Sequence, residues 1–220
     1  MTDTHYYLDL AAAFVRGRLP DAPDLPPAER VEYGRQHGLR VHKFKRSAEL
    51  PRVRKVLGVL RSLSPTNLLD IGSGRGVFLW PLLDAFPDLP VTALDRSPQR
   101  VADLEPVRWG GIERLTPVAG DATSLDFPNG SFDVVTILEV LEHLLDAGAG
   151  SREVLRVCER FVVASVPSKP DDNPEHLHLH TAATLTELFT NAAADLGVTV
   201  SVKCEYVPNH LFAVVRKDSN

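Results

Sequence analysis

Cysteine is scarce in this sequence: Cys158 and Cys204 are the two in a chain of 220 residues. Two isolated thiols do not make the disulfide framework of a small secreted domain. They read as reduced core groups, which points to the cytoplasm. Long apolar runs are missing as well, and no stretch approaches the roughly eighteen uninterrupted apolar residues that a membrane-crossing helix needs. The apolar patch within MTDTHYYLDLAAAFVRGRL has acidic neighbours where a signal peptide would be basic. Surplus basic charge is also lacking: 24 Lys and Arg against 29 Asp and Glu leave a formal net charge of −5. A dedicated nucleic-acid binder usually carries a basic footprint, so neither nucleic acid nor membrane is an expected partner.

What is present is an ordinary globular composition, 44% hydrophobic and 24% charged, in a chain long enough to bury a full core. Residues 1–47 are expected to form a helical segment able to act as a lid, and residues 48–220 one α/β domain. Thr4 to Arg18 reads as an amphipathic helix stopped by Pro20, and a second helix starts near Ala28. A local basic run, Arg40, Lys43, Lys45 and Arg46, reads either as a solvated face or as an anion contact. From Ala48 to Leu63, Val53, Val56, Leu57, Leu60 and Leu63 recur at helical spacing and mark a core-facing helix.

Beyond it the pattern alternates. Apolar strands are predicted at Asn67–Ile71, Val91–Asp95, Ile112–Val118, Phe132–Leu138 and Phe161–Val166. Helices are predicted through Ala85, over Pro98–Leu104 and over Ser151–Val157. Continuous apolar runs separated by helices indicate a parallel sheet covered on both faces. Thr181 is placed to N-cap a helix reaching about Leu196, and Val198–Tyr206 with Leu211–Arg216 then read as a closing antiparallel hairpin.

The segment LLDIGSGRGVF sets Gly72, Gly74 and Gly76 directly after the first strand and at the opening of a helix. Ligands of open α/β sheets bind at the carboxyl ends of strands, where such a loop lies. An NAD-type GxGxxG would need glycine at position 77, which is Val77, and no GK[ST] follows to make a nucleoside-triphosphate loop. Asp95 ends the next strand in VTALD, where a carboxylate can accept hydrogen bonds from ribose hydroxyls; this feature is shared with NAD enzymes. Asp121, in AGDAT, follows the third strand, where a carboxylate and the adjacent amide can read an adenine edge.

In this order and spacing, LLDIGSGRG, VTALD, AGDATSLDF and SFDVVTILEVLEHL resemble the successive motifs of class I S-adenosylmethionine (SAM) dependent methyltransferases. The resemblance covers roughly residues 65 to 217. It implies a Rossmann-like three-layer sandwich: a seven-stranded, mostly parallel sheet with an antiparallel last strand, plus the N-terminal helices. It also implies SAM as cosubstrate, S-adenosylhomocysteine as product, and a small-molecule acceptor methylated on oxygen or nitrogen. Carried over by position, Gly72, Ser73, Gly74 and Gly76 approach the methionine part, with Asp70 supporting the loop. Asp95 holds the ribose with Arg96 beside it, Asp121 and Ala122 meet the adenine, and Glu139 lies beside the methionine part.

The acceptor side rests on EVLEH and PEHLHLHT. His143 is the leading general base with Glu142 beside it, and His178 or His180 stand behind it. On one helical turn Glu139, Glu142 and His143 would share a face, a set able to coordinate Mg²⁺ or Mn²⁺. In an extended segment His176, His178 and His180 would alternate onto one face and offer a further ligand. The expectation is nonetheless no metal, because EVLEH is frequent in this superfamily where none is invoked. ExxEH also resembles metal-assisted ubiquinone-type O-methyltransferases and, with the later histidines, the Hen1-like enzymes that methylate small-RNA 3′ ends. That RNA family carries an aromatic-rich HxxHxFEWT-like stretch where this chain has HLHLHT. A noncatalytic SAM-binding module and an NAD-dependent oxidoreductase are the alternatives from other classes.

Overall fold

A computed structural model describes residues 6–46, 50–170 and 172–218. Seven strands, β1 (Leu68–Ile71), β2 (Val91–Asp95), β3 (Leu115–Ala119), β4 (Phe132–Leu138), β5 (Cys158–Pro167), β6 (Val200–Val207) and β7 (His210–Lys217), form one sheet. Their order is β3-β2-β1-β4-β5-β7-β6. Every residue of β1 is buried, as is all of β4 before Leu138, so both strands need cover on two faces and occupy the centre. β1 to β5 run parallel, and β7 is antiparallel to both β5 and β6. The Rossmann-like sheet with its antiparallel last strand is therefore present.

Alternation along the strands divides the core in two. Leu68, Val91, Val134 and Phe212 join one apolar cluster with α3 (Pro51–Leu63), α4 (Leu79–Ala85) and α5 (Pro98–Trp109). Leu69, Leu94, Val135 and Ala213 join a second cluster with α6 (Ala147–Val157) and α7 (Ala182–Leu196). Successive side chains point to opposite faces, so neighbouring residues such as Val134 and Val135 serve different layers. Between β1 and β4 the strand order reverses, which opens a crevice at their carboxyl ends.

Two helices lie upstream, α1 (Leu8–Arg18) and α2 (Pro27–Gln36). Residues 4 and 5 of the first predicted helix lie outside the described residues, and α1 begins at Leu8. Leu10 to Val15 are buried in the same cluster as β1 and β2. α1 crosses α5 so closely that a Cβ on Gly17 would lie 2.0 Å from Pro106 O and one on Gly110 1.7 Å from Ala13 O. That crossing explains why α5 extends beyond the predicted end at Leu104. Pro106 has no N–H to offer the carbonyl of Ala102 four residues back. Arg18 from α1 donates to that carbonyl at 3.4 Å and to Asp103 Oδ1 at 3.1 Å.

The basic run beside these helices is also used internally: Lys43 donates to Asp103 O and Arg46 pairs with Asp84. Thr181 caps α7 as predicted. It forms a capping box in which Thr184 N donates to its hydroxyl and Thr184 Oγ accepts from Thr181 N. Thr181→Ala removes the hydroxyl that accepts from Thr184 N, while the bond from Thr181 N to Thr184 Oγ remains, and should cost about 1 kcal/mol, read as a lowered Tm.

Candidate active site

β1 ends at Ile71, and the chain turns sharply under three glycines with positive φ. Two of them are sterically obligatory. A Cβ on Gly72 would lie 2.3 Å from Val140 Cγ2, and one on Gly76 would lie 2.1 Å from the Trp80 ring. Gly76 thus packs beneath Trp80, and it lines neither of the two cavities described below. Asp70 braces the loop from inside: its carboxylate accepts from Ser73 Oγ and from Thr136 Oγ1, each at 2.8 Å. Burial pushes Asp70 up to about 6, against the pull of those two hydroxyls, and nearby Asp95 adds to the rise. Asp95 braces the loop from the side. Its Oδ2 accepts from Gly74 N and its Oδ1 from Ser97 N, both at 2.9 Å.

Two cavities open at the strand ends, and Gly72 and Glu139 line both. The larger, of about 520 Å³, is bordered by Asp95, Arg96, Asp121 and Ala122 and, from the chain after β4, by His143 and Leu144. The smaller, of about 180 Å³, is bordered by Asp70, Ser73 and Gly74 together with Arg52 and Arg75. Asp121 Oδ1 accepts from Thr123 N at 2.8 Å and from its hydroxyl at 2.7 Å. These bonds, the backbone one first, hold Asp121 below the usual carboxylate range and leave Oδ2 for another donor. Arg52, Arg75 and Arg100 were not singled out in the sequence because no spacing marks them. Arg52 opens α3 and reaches the loop only through the packing of that helix.

The residues after β4 depart from the single helical turn expected for EVLEH. Glu139 adopts a left-handed φ of 57°, a region that costs a residue with a Cβ about 1–2 kcal/mol. The chain then makes a 3₁₀ turn over Leu141–His143. Glu139 therefore borders the cavities, while Glu142 is fully buried and lines neither. The Glu139 backbone extends the ladder by donating to Ser165 O at 2.8 Å. Its Oε1 accepts from Ser165 Oγ at 2.6 Å, and its Oε2 lies 3.1 Å from His210 Nε2.

The later histidines make two separate ring contacts. The His143 ring meets that of His176 at 4.7 Å, while His178 meets His180 at 5.8 Å. The physical reason is how the 175–178 segment is laced to the 3₁₀ turn. Leu177 N and His178 N both donate to Glu142 O, and His178 Nε2 bonds Leu144 O. Burial, and the neighbouring His178, keep His180 below the ordinary histidine range. Among the described residues, Glu142, His143 and His176 bring one ligand atom each within 4.8 Å of one another. His143 Nδ1 lies 2.9 Å from Glu175 O. A carbonyl only accepts, so in the neutral ring Nδ1 carries the proton and Nε2 the lone pair.

A family model described as a methyltransferase domain matches residues 69–163, the segment that carries the loop, both aspartates and EVLEH. The chain carries a class I SAM-dependent methyltransferase domain. A ubiquinone biosynthesis O-methyltransferase of Ralstonia nicotianae is 33% identical over 100 residues, covering 46% of this chain and 40% of that protein. A demethylmenaquinone methyltransferase of Beutenbergia cavernae is 38% identical over 120 residues, 53% of this chain and 48% of that protein. The match thus spans less than half the length of these curated relatives. A solved SAM-dependent methyltransferase from Aquifex aeolicus shares the fold of the methyltransferase domain, with a TM-score of 0.58 and 17% identity. The superposition covers 76% of this chain and 96% of that one. None of residues 6–46 lines either cavity of the methyltransferase domain, and none of its described helices is long and apolar enough to cross a membrane.

Proposed function

We propose that this chain transfers the methyl group of SAM to an oxygen or nitrogen of a small-molecule acceptor, with His143 as general base. One observation carries the reading: His143 borders the larger cavity with Nδ1 tied to Glu175 O, so its basic Nε2 is held in one orientation. In this reading Asp95, with Arg96 beside it, receives the ribose hydroxyls in the larger cavity. Asp121 Oδ2 and the Ala122 amide meet the adenine. Gly72, Ser73 and Gly74 border the methionine part, with Glu139 beside its ammonium and Arg52 and Arg75 available to its carboxylate. Gly76 acts one step back, through the shape of the loop.

SAM supplies an activated sulfonium methyl. The protein's task is then to align the acceptor in line with the departing sulfur and to take up its proton. For an oxygen acceptor His143 removes the proton as the O–CH₃ bond forms, and S-adenosylhomocysteine leaves as the neutral thioether. Glu142 supports the His143–His176 pair from beneath the cavity wall. Relatives named for ubiquinone and demethylmenaquinone support a small-molecule acceptor. Two free cysteines suit a reducing compartment, and we place the reaction in the cytoplasm.

Calorimetric titration with S-adenosylhomocysteine tests the cosubstrate half of this proposal. Asp95→Ala should weaken binding by about 1.5–3 kcal/mol through lost charged hydrogen bonds. Binding of NADH without S-adenosylhomocysteine would overturn the reading. Incubation of labelled SAM with small-molecule and RNA pools tests the other half; binding with no product from any pool would favour a noncatalytic module.

A second reading is favoured by the Glu142, His143 and His176 cluster. Two imidazoles and one carboxylate suit a borderline divalent cation such as Zn²⁺ or Fe²⁺ better than the Mg²⁺ or Mn²⁺ weighed for Glu139, Glu142 and His143. Such an ion would activate the acceptor hydroxyl as a Lewis acid in place of the free base.

A further inference from the structure

Three adjacent strands converge on one carboxylate. Glu139 directly follows β4, Ser165 lies on β5 and His210 opens β7. Ser165 is fully buried and donates its hydroxyl to Glu139 Oε1 at 2.6 Å; His210 Nε2 stands 3.1 Å from Oε2. Both carboxylate oxygens are thus held, on a residue whose backbone is already left-handed. The His210 ring is fixed in turn by Pro208 O, 3.0 Å from Nδ1, within the two-residue turn that closes the β6–β7 hairpin. Both neighbours of the ring are acceptors, Pro208 O beside Nδ1 and a Glu139 carboxylate oxygen beside Nε2. Glu139 borders both cavities, and the smaller one also presents Arg52 and Arg75. A small cavity bordered by a fixed anion and two arginines is complementary to a zwitterion, the charge pattern of an amino-acid end.

We propose that Ser165 and His210 are positioning residues that fix the Glu139 carboxylate between the two cavities, where it receives the ammonium group of the cosubstrate's amino-acid end. The proposal rests on the SAM reading above. It gives the antiparallel hairpin a part in cosubstrate binding, because β7 brings His210 within reach of β4's end across β5. Holding the carboxylate in one rotamer before the ligand arrives removes an ordering cost from binding.

The test compares S-adenosylhomocysteine with adenosine, which lacks the amino-acid end, by calorimetry on the full chain. His210→Ala should weaken S-adenosylhomocysteine about tenfold, the loss expected for a hydrogen bond to a charged group, and leave adenosine unchanged. His210→Gln keeps an N–H donor toward Oε2 and should recover part of that loss. Ser165→Ala should act in the same direction as His210→Ala. Should His210→Ala not fold, the Gln and Ser165 variants carry the same comparison. Unchanged S-adenosylhomocysteine affinity in the folded variants, or equal losses for both ligands, would overturn the proposal. Wild-type protein that binds neither ligand would overturn the SAM reading itself, an outcome the variants play no part in.

Discussion

His143→Ala is expected to lower methyl transfer to an oxygen acceptor by roughly 10²–10⁴-fold, the usual contribution of a positioned general base. Affinity for S-adenosylhomocysteine should hardly change, because the groups assigned to the cosubstrate stand at the ends of β1, β2 and β3 and at Glu139, not on the 3₁₀ turn that carries His143. The effect is large because Nδ1 is committed to Glu175 O, so Nε2 is the nitrogen available to take the acceptor's proton. Loss of binding and rate together would instead indicate that the ring shapes the cosubstrate pocket.

The partner variant His176→Ala separates the base from the metal reading. Proton transfer by a free imidazole keeps most of its rate without His176 and is indifferent to chelators. Metal activation loses rate in both cases, and the metal content falls with it. Full activity of His143→Ala would remove His143 from the mechanism altogether.

Asp70→Asn should remove about 3 kcal/mol of pH-dependent destabilisation that wild-type protein acquires between about pH 4 and pH 6. Burial raises the Asp70 carboxyl from 3.8 to about 6. Across that interval the folded protein still holds a proton that the unfolded chain has released. Stability from this group is therefore complete below pH 4, falls as pH rises, and levels off above about 6. Asp121, Asp133 and Glu153 are all held low by hydrogen bonds and ion pairs, so their contributions run the other way. The variant-minus-wild-type difference isolates Asp70 from them. Asparagine keeps one oxygen to accept from Ser73 or Thr136, and its amide can donate to the other hydroxyl. Urea unfolding at pH 4 and pH 7 measures the difference, and an equal pH dependence in both proteins would contradict a carboxyl strained by burial.

That strain shows what the loop demands. An uncharged residue would be easier to bury, yet the Asp70 carboxylate receives both the Ser73 and the Thr136 hydroxyls beneath the glycine turn. The expectation that Asp70 supports the loop followed from its place at the strand end. Its energetic cost followed only from its complete enclosure between β1, β4 and the loop.

Local sequence by itself determined the order of elements and the place of the glycine loop, Asp95 and Asp121 at the strand ends. Apolar runs in LLDI and FDVVTIL can persist only where two faces are covered, and Gly72 and Gly76 stand where a Cβ has no room. Asp95 ends β2 and Asp121 lies two residues beyond β3, so strand order carries them to the crevice. The residues proposed to meet the acceptor escaped the same reasoning. EVLEH and HLHLHT obey helical and extended periodicities on paper, but Glu139 turns left-handed to meet Ser165 and His210, and the histidine segment is bent by its bonds to Glu142 O and Leu144 O. Periodicity describes a chain that answers only to its own neighbours. Here partners tens of residues away, on β5, β7 and the 175–178 segment, decided which side chains meet, and only the assembled sheet brings them within hydrogen-bonding distance.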